Sequence, residues 1–359
     1  MERQRHAWIA AGITLVLLLA VVPASAQVQI KVNDDTFFKL GLLLQTQGDA
    51  AQDPISGAYA QNVFVRRVRF LMGGQIAKNL TFFIETDSPN LGKSLTTGTK
   101  NSQPSLYLQD AYVEWKINDK VALDAGLMLM SVSRNGLQSA ATLMPVDYGP
   151  YTFAYSGATQ SNVGRDTGLQ VKGNFLNKKL EYRAGVSQGM RDVPNRELRY
   201  TARVMYNFFE PETGFFYTGT YLGKKKILAV GGGIEHQHDY QGYAADVFFD
   251  YPLKYGAITT QLDHIRFDGG TFLKTLKEQQ STLFEVGYLI NKTNLQPVVQ
   301  VSQRDFAGNG GADEKRIGAG LNYYIKGHTA NVKALYNRID LDGVQASNQF
   351  TVQIQFFYF

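Results

Sequence analysis

The chain has 359 residues, 44% of them apolar and 12% aromatic, with no cysteine and a formal net charge of +5. Without cysteine there is no disulfide, no thiolate catalyst and no cysteine-ligated metal, and 36 basic against 31 acidic residues is too even a balance for a nucleic-acid binder. Beyond the N-terminus no apolar run approaches the roughly 20 residues that a membrane helix needs.

The N-terminus reads as an export signal. Met1 to His6 is polar and carries Arg3 and Arg5, Ala7 to Val22 is apolar, and Pro23 precedes the small-residue site Ala24-Ser25-Ala26. Cleavage is expected after Ala26, leaving residues 27–359 as a single domain whose first strand starts near Thr36.

From there the pattern is alternation with period two, in runs of about ten residues, which suits either a soluble sandwich that buries its apolar face or a transmembrane β-barrel. Tyr200, Ala202, Val204, Tyr206 and Phe208 oppose Arg199, Thr201, Arg203 and Asn207. Tyr243, Ala245, Val247, Phe249 and Tyr251 oppose Asp246 and Asp250, and Ile317, Ala319, Leu321, Tyr323 and Ile325 oppose Arg316, Asn322 and Lys326. In the last run Phe350, Val352, Ile354 and Phe356 oppose Gln349, Thr351, Gln353 and Gln355. A barrel turns the apolar face to lipid and the polar face to its lumen. Tyr and Phe near the ends of the apolar faces fit an interfacial girdle.

About seventeen runs can be counted, but single-chain bacterial barrels have even strand numbers. Short turns fall near Ala77–Asn79, Asn118–Lys120, Leu176–Lys178, Pro252–Lys254, Asn291–Thr293 and Lys326–Gly327, and long connections at Thr46–Gln61, Ser88–Ser105 and Val132–Gly164. Short periplasmic turns alternate consistently with long outer loops only if Glu210 to Lys226 is one long periplasmic connection. Phe215 to Tyr221 is then not a spanning strand. The expectation is an all-β, antiparallel barrel of about sixteen strands with eight outer loops. The third outer loop, Val132 to Gly164, is the longest and is rich in Leu, Met, Tyr and Phe. A loop of that kind is expected to fold inward and narrow the lumen.

Arg66-Arg67-Val68-Arg69 followed by Gly73, the run Asp110-Ala111-Tyr112-Val113-Glu114-Trp115, and the terminal Phe359 resemble the phosphate-selective porin O and P family. The resemblance covers most of the chain beyond the signal. It implies a sixteen-stranded, trimeric outer-membrane porin, with anion or phosphate selectivity in the best-known members. Two departures stand out. Gly126-Leu127-Met128-Leu129 lacks the lysine of the Gly-Gln-Phe-Lys that family members often carry before the third loop. Tyr358 continues the outward face, which puts Phe359 on the inward register.

The polar strand faces put Arg67, Arg69, Lys172, Arg183, Arg199, Arg203, Arg304, Arg316 and Lys333 in the lumen. They put Glu85, Asp87, Asp110, Glu114, Asp124, Asp166, Glu181, Asp246, Asp250 and Glu285 there as well. The near balance of sign predicts weak anion preference, since lumen charge sets selectivity. Carboxylates gather over residues 81–125 and arginines flank them, a distribution that lays a field across the pore. Arg67, Arg69, Lys172, Arg183, Arg199, Arg203 and, at the root of the long loop, Arg134 are the candidate pore-lining, solute-contacting residues. Arg67 and Arg69 have two readings: bidentate contact with an anionic solute, or cross-strand pairing with Glu85 and Asp87. Arg66 is expected to face outward, toward lipid headgroups.

His236 and His238 share a strand face, but no third ligand is evident for zinc, so no metal and no cofactor are expected. Lys224-Lys225-Lys226 reads as a solvated turn, and Gly231-Gly232-Gly233 as relief of crowding in a curved wall. The partners expected are the lipid bilayer and lipopolysaccharide, two further copies of the chain, and small anions or hydrophilic solutes in transit, with no nucleic acid. The functional reading is passive diffusion through the outer membrane. The alternatives are an adhesin or structural barrel with a closed lumen, and a barrel enzyme, for which no acid/base constellation is evident.

Overall fold

A computed structural model of the protein describes residues 28–94, 99–102, 105–191 and 197–359. The expected export signal, residues 1–26, lies outside the described residues. The strands are β1 (Val28–Lys31), β2 (Phe37–Gln52), β3 (Tyr59–Ala77), β4 (Leu80–Asp87), β5 (Tyr107–Asn118), β6 (Val121–Leu129), β7 (Arg165–Phe175), β8 (Leu180–Ser187) and β9 (Arg199–Asn207). They continue with β10 (Ile227–Gln237), β11 (Tyr240–Leu253), β12 (Gly256–Asp268), β13 (Gln279–Ile290), β14 (Leu295–Phe306), β15 (Glu314–Lys326), β16 (Ala330–Leu341) and β17 (Ser347–Tyr358). One helical turn, α1 (Arg134–Leu137), interrupts them.

From β2 to β17 each strand pairs antiparallel with the next, and β17 closes on β2 from Gln349↔Ala51 to Tyr358↔Leu42. That is the expected sixteen-strand closed barrel. The seventeenth strand is β1, which pairs with β2 from Val28↔Leu40 to Lys31↔Phe37, past the point where β17 ends. It covers a stretch of β2 edge that would otherwise carry unpaired backbone groups. Phe215 to Tyr221 forms no wall strand.

Alternation reads true on the wall. Phe350, Ile354 and Phe356 are about half exposed on the outside, while Thr351, Gln353 and Gln355 are buried within. At the inner end Phe359 takes the inward register and meets Phe83 with ring centroids 5.6 Å apart. Gly73 makes room for it, since a Cβ there would lie 2.9 Å from the Phe359 ring.

Three expectations need correction. The first outer loop does not span Thr46 to Gln61: β2 runs on to Gln52 and β3 starts at Tyr59. The small and polar residues Gln47 to Ala51 pair with β3 and β17 as strand, and the turn is made by Asp53, whose Oδ1 accepts the Ile55 and Ser56 N–H groups. The β10–β11 connection at the outer end is a tight turn at His238-Asp239, not a long loop. Asp239 instead accepts hydrogen bonds from Thr271 and Phe272, so the next outer loop lies against the turn. Finally, Arg66 does not face lipid. The β2–β3 register slips at Gln45/Thr46, a bulge that sets two β3 residues against one of β2. Arg66 is thereby turned inward beside Arg67 and bonds Asp147.

Candidate functional site

The long loop between β6 and β7 folds into the bore, as its length and apolar content predicted. Its anchors come from all round the wall. Ser133 caps α1 by accepting from the Gly136 N–H at 3.1 Å. The free N–H groups at the start of the turn are taken by wall carboxylates: Arg134 N donates to Asp246 of β11 at 3.2 Å and Asn135 N to Asp263 of β12 at 2.9 Å. On the far side Gln45 of β2 and Gln355 of β17 donate to the Ala140 and Ala141 carbonyls, at 3.1 and 2.9 Å. Asn322 of β15 donates to Met144 O at 2.7 Å, and the Lys333 ammonium of β16 donates to the Leu143 and Pro145 carbonyls. The loop then reaches β3, where Asp147 holds Arg66 and Arg67. Asparagine, glutamine and lysine on the lumen face thus serve as partners for loop backbone that would otherwise be buried unpaired.

Glycine fixes where the loop may touch the wall. A Cβ on Gly233 would lie 2.7 Å from Val132 O, and one on Gly231 would lie 2.4 Å from Arg203 Nη2. The triple glycine therefore clears the loop root and the Arg203 guanidinium, a specific form of the crowding relief expected from sequence.

A second segment enters from the opposite end. The β9–β10 connection, expected as a long periplasmic turn, rises into the barrel and meets the loop. Tyr217 N donates to Leu137 O at 2.9 Å and Ser139 N to Tyr217 O at 3.0 Å. Arg134 grips Glu212 with both terminal nitrogens, at 2.6 and 2.8 Å, and its guanidinium lies 3.6 Å from the centre of the Phe248 ring. Tyr217 OH donates to Glu181 at 2.5 Å. Burial, reinforced by Glu181, pushes the Tyr217 phenol up to about 12.

The candidate basic residues all stand on the lumen side, but their surroundings differ. Arg69 takes the cross-strand reading, with Glu85 at 2.7 Å and Asp87 at 2.9 Å. Arg67 does not: it bonds Asp147 of the loop at 2.6 Å and Gln45 at 2.8 Å. Lys172 pairs with Glu114 and Asp124, Arg183 with Glu181, Arg199 with Glu235, and Arg203 with both oxygens of Asp246. The acidic group on β4 to β6 is likewise matched by Arg69, Arg165 and Lys172, so the expected field across the pore is largely cancelled by local pairing.

Cavities remain along the bore. An outer vestibule of about 380 Å³ is lined by Arg66, Arg67, Lys93, Arg316, Asp49 and Asp147 among others. Arg69, Glu85, Arg165, Phe216 and Phe359 border one of about 110 Å³. Lys172, Arg183, Glu114, Glu181 and Phe215 border an inner one of about 180 Å³. Arg134, Arg199 and Arg203 line none of these three, because loop and turn cover them. In the vestibule Arg66 and Arg67 share Asp147, and Arg316, which also lines it, shares Glu314 with Arg304, neither of which is part of the lining. Burial works against the Asp147 charge, but Arg66 and Arg67 outweigh it and hold that carboxyl well below the usual range.

Sequence reading missed Arg165, Asp147, Glu212, Tyr217 and Asp263. The first four sit in or beside connections, where strand parity carries no information. Asp263 does follow parity, but β12 turns Ile265 and Phe267 inward and His264 and Arg266 outward, which inverts the usual polarity near its outer end. Among the described residues no cluster of His, Asp or Glu is arranged to hold a metal.

A closed sixteen-strand barrel with a lipid-facing apolar wall, a polar bore and an infolded third loop defines an outer-membrane channel protein of the porin class. The sequence model of the phosphate-selective porin O and P family matches residues 39–227, more than half of the chain, and the protein belongs to that family. Solved structures of similar fold include Salmonella typhi OmpF in complex with daunomycin (TM-score 0.64, 15% identity, covering 92% of this chain and 100% of that one). They also include an anion-selective porin from Comamonas acidovorans (0.61, 11%, 90% and 100%) and the outer membrane channel DcaP of Acinetobacter baumannii (0.59, 11%, 92% and 99%). No curated protein sequence matches the chain. The protein is a porin of the bacterial outer membrane.

Proposed function

We propose that this porin passes small hydrophilic solutes passively with weak anion preference, that it works as a trimer, and that it catalyses no reaction. The observation that carries the preference is that Arg66 and Arg67 share the single carboxylate of Asp147 in the vestibule, and that Arg316, at its wall, shares Glu314 with Arg304. Each trio keeps one uncompensated positive charge at the outer mouth, and charge at a mouth sets the sign of the ions admitted. Further in, Arg69, Lys172 and Arg183 are matched by carboxylates, which keeps the preference weak. An anion-selective porin and a porin solved in trimer form among the structural neighbours support the channel and trimer readings.

Reversal potentials in planar bilayers under a salt gradient test this. Replacing Arg66, Arg67 and Arg316 by Gln is expected to move the reversal potential toward cations with conductance of similar size. Asp147→Asn is expected to move it toward anions. No shift in either variant would remove the vestibule from selectivity. Arg199 and Arg203 are poor probes: buried against Glu235 and Asp246, their loss would strand buried carboxylates and destabilise the fold instead.

A further inference from the structure

One side of the vestibule wall is built from amides rather than charges. Register sets Gln300 of β14, Gly318 of β15, Asn337 of β16 and Gln349 of β17 in a single row across four strands. Thr351 stands one lumen position further in on β17. Gly318 leaves the space that the Asn337 amide needs, since a Cβ there would lie 2.4 Å from Asn337 Oδ1. Gln300 donates to Glu285 at 2.7 Å, which leaves its carbonyl oxygen to accept. Asn337, Gln349 and Thr351 line the vestibule and make no side-chain hydrogen bond among the described residues. Arg66 borders the same space and is 22% exposed; it gives only its Nε to Asp147, at 2.8 Å, so its two terminal nitrogens remain as a fork of donors. From the loop, the exposed Pro150 and the half-buried Phe153 add apolar surface.

The geometry points to a subsite in the vestibule for an anionic sugar, a single pyranose that carries one carboxylate or phosphate. Side-chain amides and the Thr351 hydroxyl both donate and accept, which is what neighbouring sugar hydroxyls require. The Arg66 fork takes a carboxylate or phosphate through two parallel hydrogen bonds. Pro150 and Phe153 suit the apolar C–H face of the ring. The lining carries Arg66, Arg67, Lys93 and Arg316 against Asp49 and Asp147, an excess of positive charge. Its volume of about 380 Å³ reaches the roughly 300–1,000 Å³ of small-molecule sites, whereas the inner cavities of about 110 and 180 Å³ fall short. Inorganic phosphate would meet the arginines and leave the amide row to water, and a neutral sugar would leave the fork unused. The subsite rests on the anion preference proposed for this vestibule and names the solute class that uses it.

Chloride current through single channels in planar bilayers, titrated with glucuronate, glucose 6-phosphate, glucose and inorganic phosphate, tests this. Glucuronate and glucose 6-phosphate are expected to half-block the current at concentrations at least tenfold below those of glucose and inorganic phosphate, and the stronger of the two identifies the anionic group. Replacing Asn337 and Gln349 by Leu is expected to raise the half-blocking concentration of glucuronate about tenfold and that of inorganic phosphate far less, because the amides meet only the hydroxyls. Arg66→Gln is expected to raise both. Heat-modifiable gel migration checks that each variant has folded. Equal block by glucuronate and inorganic phosphate would overturn the subsite. So would a folded Asn337→Leu, Gln349→Leu channel that glucuronate blocks as it does the unmodified one. The reversal potential in chloride alone involves no sugar: a value shifted toward cations, with glucuronate block intact, would remove the anion preference and leave the subsite standing.

Discussion

Arg134, at the root of the long loop, and Glu212, on the turn that rises from the opposite end, meet inside the barrel through two parallel hydrogen bonds of 2.6 and 2.8 Å. Arg134 is fully buried and Glu212 almost so. Removing one partner of such a pair strands the other's charge, at a cost of about 3–5 kcal/mol, whereas apolar replacement of both is often neutral. Glu212→Gln is therefore expected to loosen loop from turn and raise both mean conductance and current noise. Arg134→Met combined with Glu212→Met is expected to return the recordings toward those of the unmodified channel. Single-channel traces decide it: a quiet, unchanged Glu212→Gln channel would show that this contact does not hold the two segments together.

Deleting Gln138 to Thr159 removes the part of the loop that spans the bore from Gln45 and Gln355 to Asn322 and Lys333. Those side chains would be left facing water, which suits them, so the wall is expected to survive. Single-channel conductance is expected to rise several-fold. Unchanged conductance would place the narrow zone at the inner turn, Glu210 to Lys226.

Which parts of this arrangement were legible beforehand follows from what alternation encodes. Parity assigns faces, and it put Arg199, Arg203, Asp246 and Asp250 in the lumen, where the structure has them. It fails where the count slips by one, as at Arg66, because a bulge is a backbone event with no side-chain signature here. It also fails where an infolded segment changes what the lumen wants. Ile265 and Phe267 face inward because Tyr155 and Val132 of the loop cover them. The loop's inward fold was readable from its length and apolar residues. Its counterpart was not: Glu210 to Lys226 was recognised as long, but nothing in its sequence says that Tyr217 bonds Leu137 in mid-bore.

The C-terminal strand closes the barrel over glycine. A Cβ on Gly41 would lie 2.4 Å from Tyr358 O and 2.6 Å from the Phe359 ring. The contact to backbone cannot be relieved by a rotamer change, so Gly41→Val should push the end of β17 away from β2. Less heat-modifiable, folded protein is expected from refolding into detergent. Gly48→Val is the control, since the nearest atom to a Cβ there is 3.9 Å away. Equal yields of the two variants would mean the closing seam tolerates displacement.

His328 ties the inner turn to the wall. It lies between β15 and β16, and its Nε2 donates to Thr220 O at 2.8 Å, with the Tyr324 ring edge-on at 6.1 Å. Burial, helped by the nearby positive charges of Lys333 and Lys224, pushes the imidazole down from an ordinary 6.5 to about 4. The neutral ring is thus the one the folded arrangement favours. Its stabilisation is fully present above about pH 6.5, declines below that, and is gone once the pH has fallen through about 4. A shift of that size is worth roughly 3 kcal/mol, at about 1.4 kcal/mol per unit. Part of it is the hold on Thr220, because a protonated ring must leave its buried place beside two cations. Conductance is therefore expected to grow as pH falls from 7 to 4, as the turn carrying Thr220 loses its anchor. His328→Gln keeps an N–H donor within reach of Thr220 but does not titrate, so the rise should vanish in that variant. Coincident pH profiles for the two channels would assign the transition to another group in the bore.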